Sequence, residues 1–354
     1  MIKYLGSKRT ILPVLVPLIQ ELVPGGSVLD AFSGTSRVGH ALKQAGHRVI
    51  ANDHNAYART IGACYVQADR EDHVDAATQL VEEFNRIPGS PGYFTETFCV
   101  QSRFFRPENG ARVDAIREEI VRKSLPPELE AVMLVSLMEA ADRVDSTTGV
   151  QMAYLKQWAP RALNPLTLRV PDLLPRAAGG KGAAWGLDAV AAATAEVDLC
   201  YLDPPYNQHK YLGNYHIWET LVRWDQPEVY GVACKRVDCR TRGSRFNSRP
   251  DSSDAFRALL SAVRAPTLVV SFSDEGFLSR AWMEATLQVW AGAPAVVLET
   301  SYARYVGARI GIYNPRGEKV GTVGKLRNTE YLYVASKDPA VQQRAISVGL
   351  REAR

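Results

Sequence analysis

Cysteine is scarce in this chain and nowhere clustered. The five, Cys64, Cys99, Cys200, Cys234 and Cys239, are odd in number and form no CxxC pair. That excludes the spacing of a zinc ribbon and leaves no disulfide framework, as expected in a reducing compartment. Cys234 and Cys239 with His209 and His216 match no common metal-site spacing, so no metal is expected. Long apolar runs are missing too: none approaches the ~20 residues of a membrane helix. The opening MIKYLGSKRT followed by ILPVLVPLIQ has the outline of a signal peptide. Two prolines break the apolar stretch, no small-residue cleavage site follows, and Glu21 comes at once, all of which argue against that reading. A cytoplasmic protein without membrane contact is expected. Neither sign of charge dominates: 42 lysines and arginines face 38 acids, a net of +4. Internal repeats and low-complexity tracts are absent.

What is present is material for a large core. Hydrophobic residues make up 46% of 354 positions, enough for one large domain or a core carrying an insertion. SVLDAF at 27–32 predicts a buried strand. Residues 36–45 predict a helix with Val38, Ala41, Leu42 and Ala45 on one face, and RVIAND at 48–53 a second strand. Strand, helix and strand in so short a span is the spacing of a right-handed βαβ unit. VDLCYL at 197–202 and TLVVSF at 267–272 are continuous apolar runs, the pattern of strands covered on both faces. Segments near 295–302 and 329–335 predict an antiparallel pair at a sheet edge. Residues 74–86, 113–123 and 127–145 carry helical periodicity, the last through Leu129, Val132, Met133, Leu137, Ala140 and Ala141. Residues 146–182 are irregular and rich in proline and glycine. The expected class is α/β: a Rossmann-like sheet built by 1–64 and 183–340, a mostly helical insertion at 65–182, and a tail at 341–354.

Three constellations carry chemistry. In the first, Asp30, Phe32, Ser33, Gly34 and Thr35 leave a strand and enter a helix. Gly34 permits a tight turn where a side chain would block a ligand, and the helix N-terminus offers free N–H groups to an anionic end such as a carboxylate. Asp53, closing the next strand, is placed to accept hydrogen bonds from a ribose diol. Nicotinamide-binding folds share that geometry but carry GxGxxG, and here position 36 is Ser36; an ordinary βα turn is the competing reading. The second is Asp203-Pro204-Pro205-Tyr206, directly after the strand VDLCYL, at the strand end where open α/β sheets place ligand chemistry. An exocyclic base amine is a poor nucleophile because its lone pair is delocalised into the ring. The Asp203 carboxylate and the Pro204 carbonyl could each accept an N–H bond and favour a pyramidal nitrogen. Pro205 presents no N–H and a fixed φ, and Tyr206 offers a face for an extruded base. The third is Lys3-Tyr4-Leu5-Gly6-Ser7-Lys8, where Tyr4, Gly6 and Lys8 could clamp a cofactor's adenine and carboxylate.

Basic residues gather twice. Lys235, Arg236, Arg240, Arg242, Arg245 and Arg249 stand with one acid, Asp238; Arg304, Arg309, Arg316, Lys319, Lys325 and Arg327 stand with Glu318. Such clusters suit a polyanion, and two solvated loops would look the same.

KYLGSK, DAFSGTS, AND and DPPY, in that order, resemble the DNA adenine methylases of restriction–modification systems and the Dam-like class. DPPYNQHKYLGNYHIWET, SRFNS and SFSDEGF make the chain most similar to the FokI-type methylases. The likeness runs from Lys3 to about Ser336. It implies an S-adenosylmethionine-dependent enzyme that methylates adenine N6 in double-stranded DNA beside the bacterial nucleoid, with a cognate endonuclease encoded separately. It implies that Tyr4, Lys8, Asp53 and Asp203 touch the cofactor, that Asp203 is also catalytic, and that Asp188 in WGLDAV lies near the cofactor adenine. DNA contacts would come from the insertion and from the segment after Asn207. There Lys210, Tyr211 and Arg242 are candidates, and Arg245-Phe246 is similar to the family's SKF-like element. Ser36 departs from the family's second glycine. No fused nuclease is expected. A 5-methylcytosine enzyme needs a nucleophilic cysteine, normally after proline, and no cysteine here follows one. An N4-cytosine enzyme would more often begin the motif with serine. An RNA adenine methylase remains the runner-up, and a DNA-binding module without activity is countered by intact acids at 53, 188 and 203.

Overall fold

The apolar runs become the middle of one seven-stranded sheet. The computed structural model describes residues 1–6, 8–303, 312–313, 319–321 and 327–352. Its strands are β1 (Ser27–Asp30), β2 (Arg48–Asn52), β3 (Ala183–Trp185), β4 (Leu199–Leu202), β5 (Thr267–Ser273), β6 (Val296–Ala303) and β7 (Arg327–Ser336), in spatial order β3-β2-β1-β4-β5-β7-β6. Neighbours from β3 through β5 are parallel, whereas β7 runs antiparallel to both β5 and β6. The antiparallel pair expected at the edge is thus present, with β7 inserted between β5 and β6. β3, which has only three residues, gave no periodic signal. The order reverses between β1 and β4, and in open sheets ligands bind outside the strand ends at such a reversal.

Apolar side chains cover both faces. One layer joins Leu29, Ile50, Cys200, Leu268 and Val270 to Phe256, Leu259, Met283 and Leu287 from helices outside the sheet. The other joins Val28, Val49, Tyr201, Val269 and Leu332 to Leu15, Leu18, Ile19 and Leu22 of α1 (Leu12–Leu22) and to Val38 and Leu42 of α2 (Arg37–Gln44). The stretch with signal-peptide outline is therefore α1, which keeps Pro17 inside it and packs under the sheet. Residues 341–354, expected as a tail, fall largely in a helix over Pro339–Glu352, and Val341, Ala345 and Val348 pack beside α1.

A third core belongs to the helices. α3 (Ala56–Gly62), α4 (Arg70–Arg86), α5 (Pro107–Lys123), α6 (Pro127–Arg143) and α7 (His216–Arg223) bury Tyr57, Phe84, Phe94, Phe98, Ile116, Val132, Met133 and Trp218 together. This core draws on residues before 65 and after 183 as well as on the stretch between. A buried ion pair ties the two parts. Lys43, in the last turn of α2, donates to Asp69 at 2.8 Å and to the Ala68 carbonyl at 2.7 Å, and Arg176 donates to the other Asp69 oxygen at 2.7 Å. The chain leaves the core near Asp69 and returns near Arg176, so one carboxylate joins both crossings to α2. No helix among the described residues is long and apolar enough to cross a membrane.

Candidate active site

The ends of β1, β2 and β4 open onto one cleft. Tyr4, Gly6, Lys8, Asp30, Phe32, Ser33, Gly34, Thr35, Asp53, Asp203, Pro205, Lys210, Tyr211 and Arg242 all line it. In sequence these residues stand in three separate motifs, the segment after Asn207 and one basic cluster; the fold brings them to a single wall. Four candidates stand elsewhere. Asp188 is exposed, its carboxylate accepting from the Val190 N–H at 2.9 Å, while its neighbours Leu187 and Ala189 line the cleft. Pro204 is buried behind the lining, and Tyr206 meets Phe272 edge to face at 5.9 Å. Arg245 is exposed outside the cleft, in a short 3-10 turn.

The glycine turn is shaped for close approach. Gly34 has φ +50°, and a Cβ there would stand 3.4 Å from the Tyr4 ring. Ser36 occupies the same left-handed region, φ 53° and ψ 24°, where an L side chain costs on the order of 1 kcal/mol or more. Its hydroxyl is buried without a hydrogen-bond partner, as is that of Ser33. This strain is the structural meaning of the departure seen in sequence: the position asks for glycine and holds serine. Asp53 fastens the turn, accepting from the Gly34 N–H at 3.2 Å and from the Asn55 N–H at 2.9 Å. Asn52 stitches the strand ends: its amide donates to the carbonyls of Ala31 and Leu187 and accepts from the Leu187 N–H. In sequence Asn52 stands inside the AND motif, where Asp53 alone is given a role.

Tyr4 sits in an aromatic cluster. Its ring lies nearly parallel to those of Tyr215, at 4.4 Å, and Tyr211, at 5.4 Å, and its hydroxyl meets that of Tyr57 at 3.1 Å. Tyr215, Trp218 and His216 are core residues. His216 bonds to the Gln151 carbonyl between Phe98 and Phe104 and joins no cluster of three or more potential metal ligands among the described residues. Asp72, His73 and Glu128 do converge elsewhere, on a surface knit by Lys181 and Arg176.

The electrostatics of the cleft are dominated by buried acids. Asp30 is 1% exposed, with only the backbone N–H groups of Phe32 and Gly39 to ease the burial of its carboxylate. Burial and the charges of Asp203 and Asp53 push its pKa up to about 8. Burial raises Asp53 as well. Asp203 is pushed up to about 6 by burial, with the Lys8 ammonium pulling down and Glu330 pushing up. Lys8 lies 2.9 Å from Asp203 and 2.5 Å from Glu330; burial works against its charge, and the two carboxylates outweigh burial and hold it protonated. Three acids whose charges are held back by burial make a site that favours a cationic ligand, since a cation restores the ionised form.

The basic loop divides in two. Arg236 is 2% exposed and bonded to Asp225 and Asp238. Arg242 is clamped by the buried Glu219 at 2.8 Å and by Asp238 at 3.4 Å, which makes it part of the cleft wall. Lys235, Arg240, Arg245 and Arg249 have no carboxylate ion partner among the described residues; Arg240 lies over the Tyr230 ring and Arg249 over Phe277. In the second cluster, Arg304, Arg309, Arg316 and Lys325 lie outside the described residues, as does Ser7 of the N-terminal motif.

A family model described as D12 class N6 adenine-specific DNA methyltransferase matches residues 4–273. The Type II methyltransferase M.FokI of Planomicrobium okeanokoites is 28% identical over 305 residues, covering 81% of this chain and 46% of that protein. M.NlaIII of Neisseria lactamica is 28% identical over 289 residues, covering 78% and 84%. The modification methylase StsI of Streptococcus sanguinis is 25% identical over 294 residues, covering 78% and 44%. The chain thus spans about half the length of M.FokI and StsI and most of M.NlaIII.

Proposed function

The chain belongs to the D12 class of N6 adenine-specific DNA methyltransferases, and from that membership and the cleft we propose that it transfers a methyl group from S-adenosylmethionine to the N6 amine of adenine in duplex DNA, as part of a restriction–modification system. The observation that carries this reading is Asp203: a half-buried carboxylate at the end of β4, beside a cleft whose other acids favour a cation. S-adenosylmethionine supplies an electrophilic methyl on a sulfonium and also bears an ammonium and a carboxylate. Asp30 would face its cationic groups. The turn from Ser33 to Thr35 and the start of α2 would take its carboxylate. Asp53 would hold the ribose, with Tyr4, Gly6, Lys8 and Phe32 closing the wall around it; Asp188 would approach the adenine from the rim.

Asp203 and the Pro204 carbonyl accept the two N–H bonds of the base amine. The amine lone pair is then free of the ring and aimed at the electrophile. As the methyl–sulfur bond breaks, leaving its electron pair on sulfur, the nitrogen gains positive charge and the Asp203 carboxylate stabilises it, an interaction that strengthens toward the transition state; one N–H proton then leaves the nitrogen for solvent. Pro205 fixes the loop, the Tyr206 carbonyl accepts from the Phe277 N–H at 2.9 Å, and Phe272 meets the Tyr206 ring edge to face, so that ring would offer a platform to the extruded base. No metal takes part in this scheme. The helical stretch 65–182, with Lys210, Tyr211 and Arg245, would face the duplex, and Arg242 would shape the wall beside it. A separately encoded endonuclease of the same specificity would be the partner.

Four basic residues of the 235–249 loop are free to meet phosphates once Arg236 and Arg242 are set aside as internally paired. Duplex affinity should therefore fall with salt with a log–log slope of roughly −3 to −4. A titration giving a slope near zero would reduce the loop to a solvated face. The activity itself is tested by methyl incorporation from labelled S-adenosylmethionine into duplex DNA and into ribosomal RNA. Label in the DNA supports the reading, and label confined to RNA overturns it.

A further inference from the structure

Glu330 is an acid where the sheet has no structural need of one. It lies in β7 among Tyr331, Leu332 and Tyr333, with its side chain 3% exposed. A carboxylate buried there is costly unless paired. Two of its contacts are the Lys8 ammonium at 2.5 Å and the Ser271 hydroxyl, which donates from β5 to the same oxygen. Lys8 in turn reaches Asp203 at 2.9 Å. One ammonium thus bridges two carboxylates, only one of which belongs to the motif at the strand end.

An ammonium paired with Asp203 alone would compete with the base amine for that carboxylate. The ammonium adds a full positive charge to its N–H donors, whereas the neutral amine offers the carboxylate a hydrogen bond alone, so the amine would lose the competition. A second carboxylate on the far side of Lys8 gives the ammonium somewhere to stay. The three groups together carry one net negative charge, the complement of a sulfonium. Taking Asp203 as the group that engages the base amine, we propose that Glu330 is a positioning residue for methyl transfer: it anchors Lys8 and retains that ammonium while Asp203 gives its oxygen to the base. The charged and titratable groups facing Asp203 are Lys8 from the N-terminal turn, Glu330 from β7, Asp30 from β1, Tyr201 from its own strand and Tyr211 from the following segment.

The test is the pH profile of turnover on duplex DNA in wild type, Glu330→Gln, Glu330→Asp, Lys8→Met, the Lys8→Met/Glu330→Gln double variant and Asp203→Ala. In Glu330→Gln the acid limb should move to lower pH by on the order of one pH unit, because a negative charge beside Asp203 is gone. Its kcat should fall on the order of tenfold, with KM for DNA nearly unchanged, as Lys8 closes on Asp203. Glu330→Asp keeps the charge, so its limb should stay at the wild-type position while its kcat falls. The double variant should be no slower than Lys8→Met alone, since Glu330 acts through Lys8. An unmoved limb in Glu330→Gln, or additive losses in the double variant, would overturn the assignment. If Glu330→Gln does not fold, wild-type kcat in Glu330→Asp would do the same. Wild-type turnover in Asp203→Ala would instead sink the reading of Asp203 itself; an inactive Asp203→Ala beside an unshifted Glu330→Gln sinks Glu330 alone.

Discussion

Asp203→Ala is expected to lower turnover by on the order of a hundredfold or more while leaving duplex affinity within a few-fold of wild type. The carboxylate stabilises charge that exists on nitrogen only during transfer, so its loss appears in kcat. Removing a preorganised electrostatic partner of this kind typically has an effect of that size. Affinity for DNA rests mainly on phosphate contacts, which the substitution leaves alone. Folding should survive, because burial already disfavours the ionised Asp203 and Lys8 keeps its bond to Glu330. Asp203→Asn should fall between the two, keeping one acceptor oxygen and losing the charge. The wild-type enzyme should carry the mark of the same group. Asp203 carries the stabilising charge only when ionised, and its pKa is pushed up to about 6. Turnover should therefore drop as pH falls through about 6, roughly tenfold per pH unit below it. Near-normal turnover in Asp203→Ala would mean that the strand end at 203 is structural only.

Asp69→Ala is expected to destabilise the fold by about 3–5 kcal/mol, because it strands the Lys43 ammonium in the interior with one carbonyl for company. The Lys43 side chain is 2% exposed, so water cannot replace the lost partner. Lys43→Met combined with Asp69→Ala should recover much of that loss, since the buried charge goes with its partner. Denaturant unfolding of the three variants measures both effects, and an Asp69→Ala protein as stable as wild type would contradict the pairing. Burial works against the Asp69 carboxylate, but the hydrogen bonds from Lys43 and Arg176 outweigh it and hold the pKa below its ordinary value. The sign follows: the pair's contribution is present above the ordinary aspartate pKa, about 4, and is lost as pH falls through the lower folded value.

Local pattern revealed the sheet's middle and its antiparallel edge and hid the β3 edge and the couplings. β1, β4 and β5 are apolar runs buried on both faces, and such runs announce themselves. β3 is Ala183–Trp185, short and bland, and it is a strand only because Ile50 and Ala51 of β2 pair with Ala183 and Ala184. α1 was obscured by Pro13 and Pro17, whose costs its packing beneath the sheet overrides. Within the cleft, the residues at 30–35, 53 and 203–206 were legible because each group leaves a strand end, where the chain must turn and expose polar groups, and Tyr4, Gly6 and Lys8 were legible as one compact run at the N-terminus. Glu330 was not, since 322 positions separate it from Lys8 and nothing local links them. A lone acid inside TEYLYVAS was the available signal: a charge in a buried strand needs a partner. Arg242 shows the reverse case. In sequence it is one of six basic residues in a loop, and in the fold it belongs to Glu219, a buried acid on α7.

The central claim is that the amine presented to Asp203 is N6 of adenine in DNA. Incubating the purified protein with S-adenosylmethionine and unmethylated genomic DNA, then sequencing for modified bases, tests it most directly. The account predicts N6-methyladenine confined to one short recognition sequence and its complement, with no N4-methylcytosine and no 5-methylcytosine. N4-methylcytosine as the product, or unmodified DNA beside methylated ribosomal RNA from the same preparation, would contradict it.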